Sequence, residues 1–115
     1  MNVYDIANDL AKALKDSQEY KAFHQAKEKL AMNAEHQEMV QNYMKKQVEL
    51  QSLQMMRQEL SQDQIDSFNK MTASLMRISD IADFFRAQML FGRMFEDVTK
   101  IITETAELDF GFNNK

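Results

Sequence analysis

The chain has 115 residues, with no proline, no cysteine and only two glycines, so little in it would interrupt a helix. The lack of cysteine excludes disulfides, thiolate nucleophiles and zinc or iron–sulfur sites built on cysteine ligands. A formal net charge of −4 argues against binding to the phosphates of nucleic acid or to anionic lipid, because those partners are themselves polyanions.

The first two helices are marked by apolar residues that recur every three or four positions. Residues 3–14 carry one such stripe, which predicts an amphipathic helix of about four turns. Asp16 and Glu19 have the spacing of a capping box, so a second helix is expected to begin there. Its narrow apolar stripe runs from Tyr20 to Leu30.

A long third helix is predicted from Glu35 to Met56, with Asn33 as the cap that precedes it. This length exceeds the average of about three turns. Part of the helix surface is therefore expected to pack against something beyond the first two helices, and a partner chain is the natural candidate.

The last two helices follow a second capping signal. Ser61 and Gln64 have capping-box spacing, which predicts a fourth helix that returns antiparallel to the third. Ser79 and Asp80 can bond to nearby backbone amides, which favours a break over residues 78–81. A fifth helix, the most apolar segment, is expected over residues 81–108.

Together these elements predict an all-α fold, an antiparallel bundle of about five helices that contains a long helical hairpin and is oligomeric. One domain is expected over residues 1–108, followed by a flexible tail over residues 109–115. No apolar run approaches the roughly 18 residues that span a bilayer. Asp5 and Asp9 stand where a signal peptide would be basic and then apolar, so we expect a cytoplasmic protein.

The surplus of methionine and phenylalanine predicts an interface. Phe84 and Phe85 are adjacent and so diverge by roughly 100° around a helix, which makes the fifth helix apolar around most of its circumference. The alternatives are a central helix of a monomeric bundle and methionines that fill gaps in a core. Gly92 would allow close approach of another helix or be a tolerated defect. The predicted interface comprises Met55, Met56, Phe84, Phe85, Met89, Phe91, Gly92 and Phe95.

Neither a metal site nor a catalytic site is indicated. The two histidines, His24 and His36, have no glutamate three residues before them, as a ferritin-like carboxylate site would require. Glu104, Glu107 and Asp109 could be proposed as acid and base, but a solvated charged face explains them more simply. We expect no enzymatic activity and no cofactor.

Four stretches, at residues 3–10, 17–20, 47–51 and 84–102, resemble the YheA/YmcA/YlbF family of small helical proteins from Gram-positive bacteria, most closely its YheA-like branch. The resemblance implies a self-associating helical protein without known enzymatic activity. It also implies a link to competence, biofilm and sporulation control, through a complex that influences messenger RNA maturation. Some relatives are associated with iron–sulfur clusters held by cysteines, and that property does not carry over to a chain without cysteine.

The expected function is that of a non-enzymatic, homo-oligomeric helical protein that regulates through self-association and protein partners. The alternative is a carrier of an apolar small molecule in a cavity lined by methionine and phenylalanine. Direct binding of nucleic acid is not expected from the acidic balance.

Overall fold

A computed structural model of the protein describes residues 1–106, in which every regular element is an α-helix. This confirms the predicted all-α class and the number of helices. The predicted tail over residues 109–115 and the predicted end of the last helix at residue 108 lie outside the described residues. The helices are α1 (Val3–Asp16), α2 (Gln18–Ala31), α3 (Ala34–Met55), α4 (Gln62–Met76) and α5 (Ser79–Ala106).

Two of the predicted caps are present. The Asn33 side chain accepts a hydrogen bond of 3.1 Å from the backbone N–H of His36 and so caps α3. At the start of α4, the Ser61 hydroxyl accepts from the Gln64 N–H at 3.1 Å, and the Gln64 amide oxygen accepts from the Ser61 N–H at 2.8 Å. This reciprocal pair is a complete capping box.

The boundary between α1 and α2 is capped by Ser17 and not by Asp16, so the predicted capping residue was wrong by one position. Asp16 is still the last residue of α1, whereas Ser17 has an extended backbone at φ −68° and ψ 153°. The Ser17 hydroxyl accepts from the Tyr20 N–H at 3.1 Å and donates to the Leu14 carbonyl at 2.6 Å. One hydroxyl therefore serves both helix ends, which a carboxylate cannot do because it only accepts.

Helix α3 ends in a Schellman motif. Gln58 donates its N–H to the Leu53 carbonyl at 2.9 Å, and Arg57 donates to the Gln54 carbonyl at 3.0 Å. Arg57 has a φ of 60°, the left-handed conformation in which this motif usually places glycine. A break is present beside the predicted residues 78–81, but it lies at Arg77 and Ile78. Helix α4 ends at Met76 and α5 begins at Ser79, so residues 79–81 are already helical.

The described residues fall into two compact units, and each boundary between them lies inside a helix, α2 or α5. Unit one consists of Met1–Gln25 together with the described chain from Arg86 onward, and unit two consists of Ala26–Phe85. The single domain over residues 1–108 stays a prediction. Within residues 1–106, no helix combines the length and the apolar character needed to cross a membrane.

Unit two contains the predicted helical hairpin. Tyr43, in the first half of α3, contacts Thr72, near the end of α4, through hydroxyl groups 2.9 Å apart. A contact between the early part of one helix and the late part of the next means that α3 and α4 are antiparallel. The buried apolar residues of unit two are Leu30, Val40, Tyr43, Leu50, Leu75, Ile81 and Phe84.

Candidate interaction surface

An aromatic cluster in unit one sets the orientation of α5. The ring of Phe91 lies edge-on to Tyr20, with ring centroids 5.4 Å apart, and stacks on Phe23 at 5.9 Å. Tyr20 and Phe23 are three residues apart on α2 and therefore share one face of that helix. Because Phe91 is held against α2, the side of α5 that carries Phe91 faces the chain's own interior.

Several large apolar side chains on the same half of α5 remain in contact with solvent. Leu90 is 45% exposed and Ile101 is 66% exposed, and they lie about three turns apart on one line along the helix. Leu90 is the neighbour of Phe91, so the two side chains diverge by about 100°, and packing of Phe91 on α2 turns Leu90 outward. Phe95 and Ile102 are each 54% exposed on another side of the helix.

Helix α1 adds further uncovered apolar surface to unit one. Val3 and Tyr4 are each 79% exposed and Ile6 is 46% exposed. No residue of α1 is buried, although its apolar residues lie along one stripe. Several large apolar side chains exposed on one helix of a folded chain are typical of a binding surface.

The predicted interface residues divide into exposed and enclosed groups. Met89 is 55% exposed, and a side chain at Gly92 would meet no heavy atom within 4 Å. Met55 and Met56, at the end of α3 in unit two, are 84% and 66% exposed. Phe95 belongs with these exposed residues.

Phe84 and Phe85 are enclosed by the chain itself. Phe84 is buried, and its ring lies 5.5 Å from that of Phe85. Phe85 is half-buried and makes an edge contact with Tyr43, again at 5.5 Å. Phe84, Phe85 and the half-buried Phe91 therefore make contacts with other side chains of the same chain. An interface at the eight predicted positions stays a prediction.

Sequence reasoning missed Leu90, Ile101 and the exposed stripe of α1 as surface candidates. The signal was available in the spacing of Leu90, Met94 and Ile101, which repeat along one side of α5. The same segment also carries Phe84, Phe85, Phe91 and Phe95, and this aromatic pattern masks the aliphatic one.

Unit two holds a polar pair that sequence reasoning also missed. His36 Nδ1 lies 2.9 Å from both carboxylate oxygens of Asp80, and the two side chains are 26% and 15% exposed. Sequence proximity had placed His36 beside Glu35 and Glu38, which are exposed. No three histidine or acidic side chains within residues 1–106 come together in an arrangement that would hold a metal ion.

An open groove of about 700 Å³ lies between α3 and α4 in unit two. Six of its ten lining residues are amides or acids, among them Gln47, Gln51 and Glu59. One phenylalanine, Phe68, and no methionine line it. The groove therefore lacks the composition of the methionine- and phenylalanine-lined cavity expected of an apolar carrier.

The sequence matches a family model and a set of bacterial relatives. The model described as "control of competence regulator ComK, YlbF/YmcA" matches residues 3–107. The UPF0342 protein of Symbiobacterium thermophilum is 37% identical over 110 residues, which cover 96% of this chain and 98% of that protein. A UPF0342 protein of Caldicellulosiruptor saccharolyticus is 36% identical over 107 residues, which cover 93% and 89%.

A solved structure has the same fold. It is described as a protein of unknown function (DUF964) from Bacillus stearothermophilus, and it superposes with a TM-score of 0.79 at 19% identity, covering 91% of this chain and 92% of that one. Because the family model matches residues 3–107, nearly the whole sequence, the chain belongs to the YlbF/YmcA family, which is linked to control of the competence regulator ComK.

Proposed function

We propose that this chain is a regulatory interaction protein without enzymatic activity, which acts through self-association and through protein partners. The observation that carries the proposal is the exposed aliphatic line on α5, with Leu90 at 45% and Ile101 at 66% exposure in a unit whose aromatic cluster is already packed. The family's link to control of a competence regulator supports a regulatory role.

The energetics favour a surface made of several side chains. Full burial of a leucine or isoleucine stabilises by about 1.5–3 kcal/mol, so covering the exposed half of one such side chain contributes roughly 1 kcal/mol. Association costs roughly 4–15 kcal/mol in lost translational and rotational freedom. Leu90 and Ile101 would not offset that cost alone. The exposed stripe of α1 in the same unit supplies further apolar area.

Of the acidic residues that could be proposed as catalytic groups, Glu107 and Asp109 lie outside the described residues, and the setting of Glu104 supports a non-enzymatic role. Glu104 pairs with Lys100 at 3.8 Å, and both side chains are more than half exposed. Such a pair is solvated and weak, and it lacks the burial that tunes catalytic carboxylates. Asp80, the more enclosed acid, is engaged with His36.

Light scattering coupled to size-exclusion chromatography tests the self-association. We expect a mass of at least twice the 13.5 kDa of one chain at micromolar concentration. Ile101→Glu should shift the protein toward monomer, because it places a charge on the exposed aliphatic line. Val48→Glu is the matched control, since Val48 is 60% exposed on α3 in unit two. A wild-type chain that stays monomeric up to 100 times that concentration would contradict the proposal.

The regulatory role needs a separate readout. Deletion of the gene should change the expression of competence genes, and a plasmid that carries the wild-type gene should restore it. The Ile101→Glu variant should fail to restore expression if regulation depends on association. Unchanged expression in the deletion strain would contradict the regulatory part of the proposal and leave the association measurement intact.

A further inference from the structure

We infer that two copies of this chain pair through residues 86–104 of α5, with the two helices antiparallel and centred at the level of residue 95. This pairing rests on the self-association proposed above and names the surface, orientation and register of the contact. In this pairing the exposed aliphatic line of one copy packs against the same line of the second copy.

The apolar part of the contact is narrow. Leu90, Met94 and Ile101 lie within an arc of about 40° around the helix and extend over about three turns. Leu90 and Ile101 are exposed, and Met94 between them is half-buried. Phe91 lies to one side of this line and is held by Tyr20 and Phe23, so the helix presents the line outward without rearrangement.

Charged residues run along one edge of this line, and the sign of the four nearest to it reverses along the helix. Lys100, about 80° from Leu90 on the same side, pairs with Glu104 of its own helix. Arg86 and Arg93 precede residue 95, and Asp97 and Glu104 follow it. All four positions fall within about 60° of Leu90, on the same side. Arg93 and Asp97 have no ion-pair partner elsewhere in residues 1–106. Glu104 makes the exposed pair with Lys100, and Arg86 already makes an interaction within the chain.

This charge distribution selects the antiparallel orientation. A two-fold axis perpendicular to the two helices keeps both charged edges on the same side of the contact, and it brings the basic half of each helix beside the acidic half of the other. A parallel pair would place the edges on opposite sides and would set like charges at the same level. Opposite charges across a helix pair specify orientation in the same way in coiled coils.

The charges also specify the register. Position 93 faces position 97 when the two-fold axis lies at the level of residue 95, and the same axis sets position 86 opposite position 104. Each of these two pairings joins a basic residue to an acidic one. In that register Leu90 lies opposite position 100 of the second copy, one residue from Ile101. The register that pairs opposite charges therefore also brings the apolar side chains of the two copies together.

Charge reversal tests the pairing, with the dimer dissociation constant measured by sedimentation equilibrium on the full chain. Arg93→Asp and Asp97→Arg should each weaken dimerisation by about tenfold, because two-fold symmetry turns two attractive contacts into two repulsive ones. The double variant Arg93→Asp/Asp97→Arg should restore the wild-type constant within about threefold. Lys45→Asp, on α3 in unit two, is the control and should leave the constant unchanged.

The results of these measurements distinguish the α5 pairing from self-association through another surface. A double variant as weak as the single variants, or single variants that dimerise like the wild type, would overturn the α5 pairing and leave self-association in place. A monomeric wild type would overturn both. Restored dimerisation in the double variant would support the pairing, because two changes that each weaken the contact compensate only when the side chains face one another.

Two glutamate variants on the same helix provide a second test. Ile101→Glu should weaken dimerisation at least 100-fold, since it buries a charge in the line. Phe95→Glu should change the constant by less than threefold, because Phe95 lies about 140° around the helix from Leu90. The reverse order of effects would move the contact to the Phe95 side and overturn the inference.

Discussion

His36 and Asp80 join the first turn of α3 to the first turn of α5, with the imidazole Nδ1 at 2.9 Å from each carboxylate oxygen. The residues are 44 positions apart in sequence, so this contact forms only when unit two folds. Both side chains are largely shielded from water, at 26% and 15% exposure. The pair is therefore expected to contribute more to stability than a surface ion pair.

A double-mutant cycle measures that contribution. We expect Asp80→Asn and His36→Gln each to lower the free energy of unfolding by about 1–2 kcal/mol, since each leaves the other group without its partner. The double variant should lose less than the sum of the two, with a coupling energy near 1 kcal/mol in urea denaturation. Additive losses would show that the two side chains do not interact. Asp63→Asn, at an exposed position of α4, is the control.

The hydroxyl group and the ring of Tyr43 make separate contributions to the stability of unit two. Tyr43→Phe removes the 2.9 Å hydrogen bond to Thr72, whose own hydroxyl still donates to the Phe68 carbonyl at 3.0 Å. The expected loss is about 0.5–1.5 kcal/mol. Tyr43→Ala also removes the ring that stacks on Phe68 at 4.9 Å, and the expected loss is about 3–5 kcal/mol. Equal losses in chemical denaturation would contradict this division between hydroxyl and ring.

Arg57 is expected to be a site where glycine stabilises the protein. Its φ of 60° costs a residue with a side chain roughly 1–2 kcal/mol, and the greater freedom of glycine in the unfolded chain offsets about 0.5–1 kcal/mol of the gain. Arg57→Gly should therefore raise the free energy of unfolding by about 0.5 kcal/mol. Arg57→Ala removes the same side chain but keeps the strained backbone. A glycine variant less stable than the alanine variant would contradict the backbone explanation.

Substitutions at different positions of α5 should affect the stability of the monomer and its association differently. Ile101→Glu changes a side chain that is 66% exposed, so its unfolding free energy, measured where the wild type is also monomeric, should stay within about 0.5 kcal/mol of the wild-type value. Phe91→Ala removes the ring that packs on Tyr20 and Phe23, and it should destabilise the monomer by about 2 kcal/mol. The stabilities of the two variants and of the wild type are compared by thermal unfolding at submicromolar protein concentration. A strongly destabilised Ile101→Glu monomer would show that Ile101 packs within its own chain.

Local signals predicted most of the fold. Asn33 and the Ser61–Gln64 pair act through bonds to residues three positions away, so their spacing alone identifies them. Ser17 was missed because Asp16 has equally good capping chemistry, and only the backbone geometry decides between neighbours. The helix periodicity was strong because no proline interrupts it.

The surface was harder to predict, because exposure depends on which side of each helix is covered. The adjacent pair Phe84 and Phe85 is predicted to lie in an interface, which stays a prediction, and within the chain Phe84 is buried and Phe85 packs on Tyr43. Periodicity shows that a helix is apolar on several sides and does not show which side another part of the chain covers. The partner of His36 likewise comes from α5, far from its sequence neighbours.

The distance between spin labels tests the α5 pairing most directly, since a chain without cysteine accepts one labelled cysteine at a chosen site. In an antiparallel pair centred at residue 95, labels at Glu96→Cys lie close to the two-fold axis, whereas labels at Thr105→Cys are separated by about 30 Å along the helices. We predict, by pulsed electron paramagnetic resonance, a Thr105 distance more than about 10 Å longer than the Glu96 distance. Equal distances at the two sites, or no dipolar coupling at either, would contradict the account.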